Sequence, residues 1–456
     1  MKELIGSRRF YINTFRVVLP ILLQNVITNF VSLLDNIMVG QVGTEPMSGV
    51  AIVNQLMFVY YLGVFGLLAG IGIYTAQYYG KGDEQGIRTT FLIKLIALAV
   101  YIIIAFVVFL CFGDGLINSY LHESGSGLDA AATFAYAKEY LNIMLIGLIP
   151  YSVAQVYSST LRETQETKLP MYAGIAAVFI NLFFNYVLIY GHFGAPALGV
   201  VGAAAATNIS RFAELGINVA AAYLIKSKAR FFKISLGICI TGTFAKRVFF
   251  TSLPLFMNEF LWSAGMTFQN QIMSRRGLEV VPAINISSVV TTLFSTFYLA
   301  MGISIGIIVG GILGRGDRDE AVRTQKKMMF ASLCITTVIA IIAFVTAPAI
   351  SGIYNTSDDV KALATVFIRI SAIYLPMEAV VSAAYFTIRC GGRTLITFLF
   401  DSFYTWAVNI PIALFVVECT GLGIIPVYAI IFGANVVKLI VGLILVHKQI
   451  WVQTLV

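Results

Sequence analysis

The sequence predicts an all-α polytopic membrane protein: twelve transmembrane helices in two six-helix lobes related by a pseudo-twofold axis along the membrane normal. Three observations predict it. The 456 residues are 59% hydrophobic and 11% charged, against about 25% charged in soluble domains. Twelve apolar stretches reach the roughly 20 residues that a helix rising ~1.5 Å per residue needs to cross a bilayer. Finally, one half of the chain repeats in the other, with six such stretches per copy.

In order, the spans are 15–40, 50–78, 90–112, 139–161, 170–190 and 199–225, then 248–274, 284–313, 328–350, 362–388, 394–418 and 422–446. They lack the short alternating pattern of outer-membrane strands, so they read as helices. The opening MKELIGSRRFYINTF leads straight into a full-length span, without a short apolar core and cleavage site, and reads as a retained cytoplasmic leader. With that end inside, the outer loops hold only Lys138, Arg275, Arg276 and Lys361 among the basic residues, while twenty-one fall on the inner side. Both termini are therefore expected to be cytoplasmic, in a cell inner membrane or plasma membrane. The net charge of +8 follows from this bias and from no basic, aromatic-interleaved soluble stretch, so no nucleic-acid partner is expected.

Cys111, Cys239, Cys334, Cys390 and Cys419 are scattered in or beside spans, with no C-x-x-C pair to suggest a disulfide framework or metal knuckle. His122, His192 and His447 fall in loops or at a span end and support neither a zinc site nor a histidine triad. No glycine loop continues as G-K-[ST], so no phosphate cradle is encoded. No cofactor is expected, and the protein is not expected to be an enzyme.

The repeat has an offset of 234. GKGDE at 80 matches GRGDR at 314, LPILLQN at 19 matches LPLFMNE at 253, and IGI at 71 matches IGI at 305. Asn36 matches Asn270, and Gly43 matches Gly277. Later the register drifts, yet TLRETQETKL at 160 still resembles TIRCGGRTLI at 387, and LGVV at 198 resembles LGII at 422. The implied division is an N-lobe at 1–225, a basic linker at 226–247 and a C-lobe at 248–456. Six spans per copy is an even number, so the repeats are parallel, an arrangement used by secondary transporters. The linker reads either as an amphipathic surface strip of Lys226, Lys228, Arg230, Phe231, Phe232 and Lys233 or as a solvated tether.

Polar residues inside the spans point to function. On a wheel of about 100° per residue, Gln24, Asn25, Thr28, Asn29, Ser32, Asp35 and Asn36 share one sector of the first span. Asn258, Glu259, Ser263, Gln269 and Asn270 share one in the seventh, joined by Trp262 and Met266. Carboxylates beside an aromatic face and a thioether suit an amphiphilic cation. Glu259 follows Pro254, where a kink is expected, and Glu378 follows Pro376, with Ser382 and Tyr385 on its face. Asn181 and Asn185 form an i, i+4 pair in the fifth span, and Thr207 and Asn208 lie in the sixth. An intramembrane carboxylate costs roughly 2.5 to 3.5 kcal/mol on insertion scales, so a chain that keeps one generally uses it.

Blander roles compete at each position. Span Asn, Ser and Thr commonly glue helices together, and GVVGAAAA at 199–206 suits close helix packing. Arg211 with Glu214, and Lys438 with a neighbour, read as structural pairs; Lys94 and Arg369 read as snorkelling or paired.

LPILLQN, LLDNIMVGQVG, AQYYGKGD and LGVVGAAAAT, within twelve spans and two repeats, resemble the multidrug and toxic compound extrusion (MATE) transporters across essentially the whole chain. That resemblance implies a V-shaped pair of six-helix bundles exporting organic cations in exchange for sodium ions or protons. Carried over by residue, the N-lobe cation site falls on Asp35, Asn181, Asn185 and Thr207, with Asp35 and Asn181 as a candidate sodium site. Some members have an aspartate where this chain has Asn185, which leaves Asp35 as the sole charge there. In the C-lobe, Glu259 matches the acid after the LP of the seventh span, and Glu378 falls near an acid of the tenth. The substrate cavity is expected to use Gln24, Asn25, Asn29, Asn258, Trp262, Met266, Gln269 and Tyr385, in a monomer.

Two rivals fit less well. A flippase for a lipid-linked saccharide precursor calls for cavity-facing cations to meet pyrophosphate, yet the polar faces of spans one and seven carry acids and no Arg or Lys. A membrane transferase calls for an acidic metal motif or surface histidine, and neither is present in the sequence.

Overall fold

A computed structural model describes residues 4–121, 129–224, 231–232, 240–277 and 279–456. The side chain of Ser32 and residues His122, Lys226, Lys228, Arg230, Lys233 and Cys239 lie outside the described residues. Among those described, the structure is helical without strands, in twelve long helices. They are α1 Arg8–Gly40, α2 Thr44–Lys81, α3 Glu84–Leu121, α4 Ala130–Glu163, α5 Lys168–Tyr190 and α6 Val200–Leu224. The second set is α7 Gly242–Ser274, α8 Val280–Gly314, α9 Arg318–Gly352, α10 Asp358–Cys390, α11 Thr394–Cys419 and α12 Ile424–His447.

Most helices outrun the apolar stretches that predict them. The 33 residues of α1 span about 50 Å, well beyond the ~30 Å hydrocarbon core. Ten of the helices are long and apolar enough to cross a membrane by length and composition. The exceptions are α6 and α7, which carry the polar cargo: Thr207, Asn208, Arg211, Glu214 and Asn218 in one, Lys246, Arg247, Asn258, Glu259, Gln269 and Asn270 in the other.

Helix ends follow capping chemistry. The Asp129 carboxylate accepts from the N–H groups of Ala131 and Ala132 at the start of α4, the Asp317 carboxylate from Glu320 N–H at α9, and Ser357 Oγ from Val360 N–H at α10.

The repeat is visible in backbone conformation. Gly43 and Gly277, 234 residues apart, turn with φ of 152° and 156°, and Gly82 and Gly316 with 79° and 82°. A side chain at any of the four would be strained. The same register governs packing where α2 ends against α8. A Cβ on Gly80 would overlap the carbonyl oxygen of Gly311, and a Cβ on Gly314 would overlap that of Gln77. The two contacts are each other's image under the repeat, as a local pseudo-twofold requires.

The chain forms two compact units. The N-unit comprises Leu23–Thr75 and Glu84–Ala245. In it α6 packs on α4 and α5, and α3 packs on α4. The small-residue stretch has the close-packing role expected of it, since a Cβ on Gly202 would strike the backbone of Leu188. The fully buried Lys94 donates to Glu163 at 2.5 Å and to Ser159 and Thr160 at 3.1 Å each. It is paired, one of the two roles read from sequence, and it ties α3 to α4. Of the linker residues read as a surface strip, only Phe231 and Phe232 are described, and both are buried. Phe232 stacks on Tyr157 at 5.3 Å and meets the Phe91 ring edge-on at 5.1 Å, because an aromatic side chain gains more from packing in the unit than from water.

The C-unit comprises Met1–Leu22, Ala76–Asp83 and Lys246–Val456. There α10 packs against α8, α9 and α12. Its core holds Ala283, Phe367, Ile410, Val427 and Tyr428, with the Phe367 and Tyr428 rings stacked at 4.1 Å. One span departs from a regular helix: α11 contains two π turns, Leu399–Phe403 and Thr405–Asn409. A side chain from α7 explains the first, since Ser402 N–H donates at 3.3 Å to Asn258 Oδ1 and is drawn out of the α-helical ladder.

Candidate functional site

The N-unit gathers the four polar residues expected of a cation site into one hydrogen-bonded chain across three helices. Asn185 Nδ2 donates to Asp35 Oδ1 at 2.6 Å and to Asn181 Oδ1 at 3.3 Å. Asn181 Nδ2 donates to Thr207 Oγ1 at 3.4 Å, and that hydroxyl donates to the Ala203 carbonyl at 3.0 Å. The i, i+4 spacing on α5 stacks the two amides between Asp35 of α1 and Thr207 of α6. Asn181 and Asn185 are buried, at 6% and 2% exposure, and Asp35 is half-buried. One carboxylate with amide and hydroxyl oxygens is a donor set for a hard monovalent cation or a seat for a proton. Asn208, next to Thr207, instead donates to the Ile143 carbonyl at 2.6 Å and joins α6 to α4.

Sequence reading missed the aromatic setting of Arg211. Its guanidinium sits 4.8 Å from the Tyr151 ring and 5.8 Å from that of Tyr61, and it meets Glu214 at 3.2 Å. The Glu214 pair was legible at i, i+3. The rings come from α2 and α4, and nothing in the linear sequence joins them to Arg211.

The C-unit builds a second polar cluster around Asn258, which is 1% exposed. Asn258 Nδ2 donates to Tyr385 Oη at 3.3 Å and Asp401 Oδ2 at 2.9 Å, and its Oδ1 accepts from Ser402 Oγ at 2.7 Å. Lys438 Nζ donates to Asp401 Oδ1 at 2.6 Å. Glu378 accepts from Asn435 Nδ2 at 2.9 Å. Glu259 is buried within electrostatic reach of Arg389 and Asp401. Asp401 was overlooked in the sequence, although the rule that singles out Asp35 applies to it: it is a lone carboxylate in TLITFLFDSFYTWAV. It is also the neighbour expected for Lys438.

The expected cavity residues take several environments. Asn258 and Tyr385 meet directly, and Gln269 is buried at 7% exposure. Trp262 and Met266 remain 38% and 39% exposed. Gln24 packs its amide against Gly174 of α5, a helix-packing contact. Asn25 and Asn29 are half-buried. Among the described residues, no three His, Cys, Asp or Glu side chains converge as a metal site.

Comparisons with known proteins agree with this architecture. The MatE family model matches residues 20–187 and again 254–415, once in each repeat. The chain is 26% identical over 413 residues to the probable multidrug resistance protein NorM of Thermotoga maritima, covering 90% of this chain and 86% of that one. It is 24% identical over 436 residues to the Bacillus subtilis protein of the same name, covering 93% and 92%. In fold it is similar to an outward-facing multidrug resistance MATE family transporter of the MOP superfamily, with a TM-score of 0.87 at 19% identity over 98% and 97% of the two chains. With both repeats matched and nearly the whole length covered, the chain belongs to the MatE family.

Proposed function

We propose that the protein is a secondary antiporter that exports amphiphilic organic cations by alternating access, in exchange for sodium ions or protons bound at Asp35. The observation that carries this reading is the hydrogen-bonded chain Asp35, Asn185, Asn181 and Thr207. It couples a single carboxylate on α1 to α5 and α6, so a change of charge at Asp35 alters what holds three helices together. The relatives named multidrug resistance proteins support small-molecule export. Asp35 and Asn181 supply the oxygens for sodium, and Asp35 alone suffices for a proton. Glu259, with Trp262 and Met266 one and two turns along α7, supplies charge and apolar surface for the substrate. Both termini lie in the cytoplasm.

The test is uptake of a fluorescent organic cation into inverted vesicles under imposed sodium or proton gradients. The wild type should respond to at least one gradient, and Asp35→Asn, at equal expression, to neither. Wild-type rates in Asp35→Asn would remove Asp35 from coupling, and a wild type indifferent to both gradients would remove antiport.

A further inference from the structure

The C-unit holds a hydrogen-bonded charge centre inside its helix packing. Asp401 is bonded by Lys438 and by Asn258, while Glu378 is held separately by Asn435. Lys438 is tethered: its side chain is 11% exposed, its Nζ bonds Asp401 at 2.6 Å, and its ammonium lies 5.5 Å from the Phe400 ring. The opposite oxygen of Asp401 is held by Asn258 at 2.9 Å. The carboxylate is thus oriented by one neutral donor and filled by one cation, as in an ion site whose ion belongs to the protein.

Two further observations point the same way. Asp401 and Asn409 both sit in the π turns of α11, a local departure from regular helix that is frequent at functional sites. Asn409, 6% exposed, donates to Asn435, the residue that holds Glu378, and its own Oδ1 is buried without a partner among the described residues. Ser382 Oγ, one turn beyond Glu378 on α10, is a second buried orphan. The two unpaired buried oxygens are linked to Glu378, one by a single turn of α10 and the other through Asn435, and in this unit such oxygens favour a cation.

We propose that Lys438 is a built-in cation occupying a monovalent-cation position on Asp401, and that the position takes a free alkali or primary ammonium ion once the lysine is removed. The lysine therefore acts as an internal competitor, setting how readily the C-unit accepts a cation from solution. The idea deepens the antiporter reading, but its test is a binding measurement that does not depend on transport.

The experiment uses the full chain in detergent, in an Asp35→Asn background that silences the N-unit cluster. Unfolding is followed by tryptophan fluorescence, which reports this unit because Trp262, Trp406 and Trp451 all belong to it. Lys438→Ala should unfold earlier in choline chloride, whose quaternary nitrogen has no N–H to donate. It should recover, saturably and by about 5 °C or more, in sodium chloride or methylammonium chloride at the same ionic strength. Which salt works distinguishes an alkali position from an ammonium position. Adding Asp401→Asn should abolish the recovery, and the chain with Lys438 intact should show none. If Lys438→Ala yields no folded protein in choline, the readout is folded yield when it is purified in methylammonium. No recovery in either salt, or equal recovery with Asp401→Asn, overturns the proposal and leaves Lys438 a structural ion pair. Loss of antiport in Asp35→Asn, or its retention, bears on the coupling reading alone.

Discussion

Replacing Lys94 with methionine isolates a single buried ion pair in the N-unit. The ammonium is fully buried and makes three hydrogen bonds, the shortest to Glu163. Methionine fills a similar volume, so cavity formation contributes little. What remains is a carboxylate of 13% side-chain exposure with no lysine opposite it. Breaking a buried pair from one side costs about 3–5 kcal/mol, whereas replacing both partners is often neutral. At about 2–4 °C per kcal/mol for a unit of this size, Lys94→Met should lower the midpoint by roughly 10 °C. Lys94→Met/Glu163→Gln should recover most of that loss. Tryptophan fluorescence is the wrong probe, since the three tryptophans all lie in the other unit. The monodisperse size-exclusion peak that survives graded heating is the appropriate measure. A double variant as unstable as the sum of the singles would show that Lys94 and Glu163 act independently, and the pairing argument would fail.

Raising the coupling ion in solution should lower drug affinity in detergent, because ion and drug favour different conformations, and the decrease should vanish in Asp35→Asn. Titrating sodium, and separately pH from 5 to 8, against a fluorescent drug tests this; flat curves in the wild type would contradict it. Gly314→Ala places a methyl on the Gln77 carbonyl oxygen and Gly80→Ala one on that of Gly311, so each should destabilise by about 1–3 kcal/mol. Gly82→Ala meets no atom but stands at φ 79° and should act through backbone strain alone, which thermal unfolding of all three can compare. Phe232→Ala should cost about 3–5 kcal/mol through the cavity left against Phe91 and Tyr157; an unchanged midpoint would mean that the linker aromatic is not part of the core. Glu259→Gln should reduce resistance to a cationic compound more than to a neutral one, and equal loss for both would move Glu259 from recognition to coupling.

Composition and periodicity by themselves determined the membrane class, the helix count and the repeat, because burying backbone in lipid leaves a long apolar chain few options. The 234-residue offset even located glycines that adopt matching left-handed turns. The N-unit cluster was legible because its members obey local rules: a lone carboxylate on a polar helix face, and an i, i+4 amide pair. The C-unit cluster was legible only in part: Asn258, Glu259, Glu378 and Tyr385 stand out on their spans, and Asp401 obeys the lone-carboxylate rule. The pairing of Asp401 with Lys438 and Asn258, and the contact of Asn258 with the Ser402 N–H in the π turn, arise only when three helices pack. The cage of Tyr61 and Tyr151 around Arg211, and the burial of Phe232, were likewise decided by tertiary structure. Helical spacing reports which side chains share a face; which face meets which is set by packing, and long-range charge pairs follow from that alone.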